Sequence, residues 1–186
     1  YSKGCRVSAP LRVAAKMEDL YFLNCSGEIL LLMEEITREQ LMPKGYPFYN
    51  PEPHQRMIAL LEEKAPAAII AATTRNPELA GALYPFPLIE DGNFDIPSVY
   101  TTDKVGASLA QLDGQTVHVI SQAERIPSTG VNVVGRLNPH ATEKFVICAH
   151  VDSKPGTPGA LDNAAGVVTL LLLADLLKAY TGEMGI

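Results

Sequence analysis

The sequence has no block of like charges. Its 186 residues contain 15 Lys and Arg against 21 Asp and Glu, which gives a formal net charge of −6. A nucleic-acid surface needs Lys and Arg clustered together, because contacts to the phosphate backbone supply most of the affinity. The composition therefore predicts that nucleic acid is not a partner.

Long apolar runs are also absent. The longest, residues 167–177, is interrupted by Thr169 and Asp175 and is shorter than the roughly 20 residues that span a bilayer. We expect a buried helix there and no membrane partner. The first residues show no signal-peptide pattern and predict no particular compartment.

Cysteine is scarce, with only Cys5, Cys25 and Cys148 and no C-x-x-C pair. Two interpretations are open: a Cys5–Cys25 disulfide in an exported protein, or three free thiols that are buried or half-buried. The second is favoured. Cys148 lies inside an apolar stretch and is expected in the core.

Strands and helices alternate from about residue 26 to residue 126. Helix starts and stops are marked by Asn50-Pro51, by Pro66 and by Asp113-Gly114. A long loop with three prolines separates the two halves of this region at residues 74–95. The predicted order is a strand at 28–33, a helix to residue 64, strands at 67–73 and 96–101, a helix at 103–112 and a strand at 116–120.

The sequence changes character at Pro127-Ser128-Thr129-Gly130, which we interpret as a linker. Apolar stretches at 131–137 and 145–149 predict two strands, the second of them strongly buried. A glycine-rich loop then leads into a predicted helix at about residues 162–180. Two strands, a loop and a helix indicate the beginning of an α/β layer structure.

Three polar residues follow this second predicted strand. His150 comes directly after it, where ligands bind in open α/β sheets, and Asp152 lies on the same side of an extended backbone. Asp162, at the start of the predicted helix, could reach the same crevice. An imidazole and a carboxylate held by two elements are half of a zinc site. Spacing alone also fits a simpler interpretation, in which Asp162 only caps the helix.

Residues 149–153 (AHVDS) and 158–167 (PGALDNAAGV) resemble the first two metal motifs of M28 peptidases. The resemblance implies that His150 is a zinc ligand, that Asp152 is a catalytic supporting residue beside it, and that Asp162 bridges two zinc ions. It also implies a zinc-exopeptidase-type α/β sandwich, of which residues 128–186 form the amino-terminal part.

A second, less specific resemblance covers residues 21–127, which look like a protease-associated (PA) domain. It rests on residues 26–31 (SGEILL), 62–70 (EEKAPAAII) and 95–99 (DIPSV). It implies an inserted PA-like α+β domain. Residues 1–20 would then be a lead-in that belongs to the peptidase domain.

Together the resemblances imply a zinc-dependent aminopeptidase that hydrolyses peptides with a metal-activated water. The family also needs a glutamate general base and further ligands, which do not follow the helix in this sequence. We therefore expect an incomplete chain, inactive alone, that can form homo-oligomers through uncovered surfaces. The alternative is a non-catalytic PA-type module that binds a peptide or protein. The remaining histidines, His54, His118 and His140, match no motif and are expected at the surface or partly buried.

Overall fold

The computed structural model describes residues 2–46, 49–73, 94–153 and 156–186. The chain divides into two compact units, Tyr1–Pro127 and Ser128–Ile186. The division falls in the segment that the sequence marks as a linker. The predicted loop at residues 74–95 lies outside the described residues, except for its last two positions.

The first unit contains a five-stranded sheet in the order β4-β3-β2-β1-β5. Strands β1 to β4 are parallel, and β5 runs antiparallel to β1 at the edge. Among the described residues, three helices accompany the sheet. The elements are β1 (Cys5–Ala14), α1 (Met17–Phe22), β2 (Ile29–Leu32), α2 (Glu52–Lys64), β3 (Ala68–Thr73), β4 (Ser98–Thr102), α3 (Asp103–Ala110) and β5 (Thr116–Ser121).

Both faces of the central strands are covered, which explains why β2 and β3 are continuous apolar runs with every residue buried. On one face, Leu30 and Leu32 pack in a cluster with side chains of α1 and α2. On the other face, Leu31 lies in a second cluster, against which Leu109 of α3 packs. Helix α2 ends at Ala65, whose left-handed backbone precedes Pro66.

The sequence indicated that the first 20 residues lie outside this unit. In the structure, strand β1 is part of its sheet. Strand β1 pairs with β2 from Leu11 to Ala14 and with β5 from Cys5 to Pro10. It therefore joins the parallel strands of the sheet to the antiparallel edge strand β5. The expectation of a lead-in that belongs to another domain is wrong for this strand. Its first residues alternate between exposed and partly buried positions, and the buried ones, Ala9, Leu11 and Ala14, are interrupted by partly buried ones. It therefore lacks the continuous apolar run that revealed β2 and β3.

Helix α3 lies close to β3 because Gly106 has no side chain. A Cβ atom at this position would be 2.2 Å from the Cβ of Ala72. We predict that Gly106→Ala destabilises the first unit by about 1–3 kcal/mol, the usual cost of overpacking. Urea unfolding measures this cost. Adding Ala72→Gly should recover part of the loss, and a double variant less stable than Gly106→Ala would contradict the proposed contact.

The described part of the second unit has one regular helix, α4 (Ala165–Leu176), followed by a short turn of 3₁₀ helix at Leu177–Ala179. The strands predicted at 131–137 and 145–149 are absent from it. The described part of the unit has a single β-bridge, between Lys144 and Gly185. Val146 is 83% exposed. An apolar stretch becomes a strand only when a neighbouring strand accepts its hydrogen bonds, and none does so here.

Helix α4 is exposed, which contradicts the prediction of a buried helix; Leu176, for example, is 77% exposed. By length and composition, the segment Ala160–Ala179 is apolar enough to cross a membrane. Its regular part has only 12 residues, about 18 Å against a hydrocarbon core of about 30 Å. A helix that is apolar all round is also typical of the core of a larger domain.

The three cysteines are free thiols, and the structure contains no Cys5–Cys25 disulfide. Cys25 is buried, and this burial raises the pKa of its thiol. Cys148 is exposed rather than in the core. The prediction for Cys148 is wrong for the same reason as the strand prediction, since the apolar stretch around it has no partner strand.

Candidate metal centre

The structure brings His150 and Asp162 together. Nε2 of the His150 ring lies 2.8 Å from Oδ1 of Asp162. His150 lies in a segment without regular secondary structure, whereas Asp162 belongs to the turn that precedes α4. The two side chains therefore come from different segments and approach each other.

Asp152 contacts the other ring nitrogen of His150. Nδ1 lies 3.0 Å from the backbone oxygen of Asp152 and 3.3 Å from its carboxylate Oδ1. The pKa of the His150 imidazole is raised, chiefly by the backbone carbonyl of Asp152 and also by the carboxylate of Asp162. Each ring nitrogen thus faces an oxygen acceptor, which suits a ring that carries both N–H groups.

The turn that contains Asp162 is not helical, although the sequence predicted the helix to start there. Asp162 has φ −119° and ψ 85°, and Asn163 has φ −141° and ψ 39°. The peptide bond between them is cis. Helix α4 begins at Ala165, and Asn163 rather than Asp162 caps it, because its Oδ1 accepts the N–H of Gly166 at 3.1 Å.

Gly159 lies close to Ser153, in the segment that follows His150. Its φ of +62° is in the left-handed region, and a Cβ atom there would lie 2.8 Å from the Cβ of Ser153. The glycine therefore lets the two motif segments approach each other. Sequence reasoning gave no role to Gly159 or Asn163. The signal was present in the motif itself, as a glycine before Asp162 and a capping residue after it.

His150 and Asp162 offer the nitrogen and oxygen donors that zinc binds at about 2.0–2.2 Å. A tetrahedral ion at those distances separates two donor atoms by about 3.4 Å. The observed 2.8 Å is a direct hydrogen bond, so a small opening of the pair would admit an ion. The side chains are 50% and 90% exposed and can be reached from solvent.

The pair is a partial site. Across the described ranges, no group of three or more His, Cys, Asp or Glu side chains is arranged to hold a metal ion. The two donors are of the types that bind zinc, but a complete zinc site needs further ligands.

The other histidines lie elsewhere. His54 in α2 is buried, and its Nδ1 accepts the backbone N–H of Met42 at 3.0 Å. This hydrogen bond ties the segment before α2 to the helix and gives His54 a structural role. It is more deeply buried than predicted, whereas His118 and His140 are exposed as expected.

Comparison with known proteins finds a family similarity in the second unit. Residues 132–185 match the family model described as peptidase family M28, which confirms the resemblance of the two motifs. None of the curated proteins matches the chain. The aminopeptidase from Aneurinibacillus sp. strain AM-1 is similar in structure over 100% of this chain, with a TM-score of 0.54 and 19% identity.

That likeness shows a mixed α/β fold of the kind found in this aminopeptidase. The chain spans only 43% of the length of the Aneurinibacillus protein. A psychrophilic subtilisin-like protease from Pseudoalteromonas sp. AS-11 is similar over 63% of this chain and 24% of its own, at 18% identity. Its TM-score is 0.40.

Proposed function

We propose that this chain, whose residues 132–185 match the model of peptidase family M28, carries part of the active centre of a zinc-dependent aminopeptidase. The observation that carries the proposal is the 2.8 Å approach of His150 Nε2 to Asp162 Oδ1. Two groups with the donor chemistry of a zinc site converge within the motifs that the family model matches.

Each residue has a distinct role in the proposal. His150 would hold zinc through Nε2, and Asp162 would be a metal ligand through its carboxylate. Asp152 accepts the Nδ1–H of His150, which fixes the tautomer that leaves the Nε2 lone pair for the metal. Bound zinc lowers the pKa of a water molecule towards 7 and so supplies hydroxide for attack on a peptide carbonyl.

We propose that the remaining ligands and a glutamate general base come from a longer protein, and that this chain is inactive alone. Two observations support this. The described residues supply two donors rather than a full set, and the apolar helix α4 has no buried residue. In a larger domain α4 would be covered; without that cover it favours association with a second copy.

The first unit is proposed to be a PA-like module, now including β1. Its α/β sheet with helices on both faces supports an independent core. The module would shape access of the peptide substrate or bind a partner. In the competing proposal, this binding is the whole function and the M28 segment is only a scaffold. The separate core of the first unit is the observation that favours this second candidate.

Zinc dependence in the full-length gene product separates the two functions. We expect hydrolysis of aminoacyl p-nitroanilides that a chelator abolishes and added zinc restores, with zinc found by elemental analysis. The measurement is initial rate against free zinc at neutral pH. A full-length protein without bound zinc and without turnover would support the binding module instead.

A further inference from the structure

We infer that Asn163 is a positioning residue that holds Asp162 towards His150. The inference rests on the proposed function, because it assigns to Asn163 a share of the zinc affinity. Asn163 touches neither ring nitrogen of His150 in the structure. Its amide is engaged with the first turn of α4, where Oδ1 accepts the N–H of Gly166 at 3.1 Å.

Gly166 is shaped for this contact. A Cβ atom at Gly166 would lie 2.2 Å from Oδ1, 2.8 Å from Cγ and 3.0 Å from Nδ2 of Asn163. The whole amide group therefore lies against the glycine, in space that any side chain would fill. The asparagine and the glycine act as one unit, which explains their spacing in the motif.

A backbone hydrogen bond also holds the turn around Asp162. The N–H of Ala164 donates to the carbonyl of Gly159 at 3.0 Å. Since Asp162 and Asn163 both have non-helical backbone angles, the helical ladder of α4 does not hold them. Three hydrogen bonds hold the turn instead. The N–H of Ala164 donates to Gly159, the N–H of Ala165 donates to the carbonyl of Ala160, and the N–H of Gly166 donates to the Asn163 side chain.

The consequence is preorganisation of the metal ligand. Asp162 is 90% exposed in its side chain, so packing does not fix its direction. The direction of Asp162 depends instead on its backbone, which the neighbouring Asn163 helps to hold through its side-chain hydrogen bond. Without the Asn163 amide, the turn samples other conformations, and an ion must select the productive one at the expense of affinity.

The test is zinc affinity in the full-length protein, measured by competition with a fluorescent chelator rather than by activity. We expect Asn163→Ala to weaken zinc binding by about 10–100-fold, the usual effect of losing a group that orients a ligand. Gly166→Ala should weaken it similarly, because it displaces the amide. The double variant should be no weaker than the worse single variant, since both changes remove one contact.

Two further variants separate positioning from general damage. Asn163→Asp keeps the shape and an oxygen acceptor for the Gly166 N–H and should bind zinc close to wild type. Asn132→Ala changes an exposed asparagine of the same unit and should leave affinity unchanged. If Asn163→Ala does not fold, Asn163→Gln takes its place in the test. This variant retains the amide but moves it by one methylene away from the Gly166 N–H, so it should also weaken zinc binding.

The outcomes are distinguishable. Wild-type protein without zinc affinity would overturn the proposed function and this inference with it. Wild-type protein that binds zinc, with Asn163→Ala or Asn163→Gln binding equally well, would overturn only the inference. A loss in Asn163→Ala that Asn163→Asp does not rescue would also count against positioning through the Gly166 hydrogen bond.

Discussion

Asp162→Ala in the full-length protein is expected to abolish zinc-dependent hydrolysis. The loss should exceed the 10–100-fold typical of removing a group that only orients a ligand, because Asp162 is proposed to contact the ions directly. His150 would keep its contact with Asp152 but lose its partner at Nε2. The measurement is kcat/KM at saturating zinc, together with zinc content.

Asp175→Ala is the matched control for that variant. Asp175 lies on α4, is exposed, and pairs with Lys178 through Oδ1 at 2.5 Å, away from the turn that holds Asp162. An exposed ion pair of this kind contributes little to stability. Equal losses in the two variants, or zinc-dependent turnover retained by Asp162→Ala, would remove Asp162 from the mechanism.

The largest effect on stability is expected from Leu30→Ala. Leu30 is fully buried in β2, between two paired strands and beneath the helices α1 and α2. Truncating a buried leucine costs about 2–5 kcal/mol, because apolar contacts are lost and a cavity remains. That is a large part of the 5–15 kcal/mol typical of a folded domain. Chemical denaturation followed by far-UV circular dichroism gives the change.

Ile120→Ala controls for the removal of a branched aliphatic side chain. Ile120 lies on the edge strand β5 and is 55% exposed, so its truncation should change the free energy of unfolding by about 0.5 kcal/mol or less. Similar midpoints for the Leu30 and Ile120 variants would mean that the central strand is not the core of the first unit.

The fold of the first unit could be predicted where local patterns are strong. The apolar runs of β2 and β3 and the helix after Pro51 appear almost as the sequence indicated. Strand β1 was missed as a member of the sheet, because half-buried alternation with polar residues is a weak signal. Its pairing with β2 and β5 is a long-range property, which the local sequence does not encode.

In the second unit the same reasoning failed for the strands, whereas the His150 and Asp162 side chains do lie close together. The stretch around Val146 is apolar enough for a buried strand, but the described residues give it no strand to pair with. The convergence of His150 and Asp162 needs only the loop between them, and that loop is set by local residues. The start of α4 at Ala165 was missed because a carboxylate and an amide both cap helices.

Anomalous diffraction at the zinc edge from crystals of the full-length protein tests the central claim most directly. We predict a peak within about 2.2 Å of both His150 Nε2 and a carboxylate oxygen of Asp162, the usual zinc–ligand distance. A zinc peak bound by neither residue, or zinc-soaked crystals in which the 2.8 Å hydrogen bond between the two side chains persists, would contradict it.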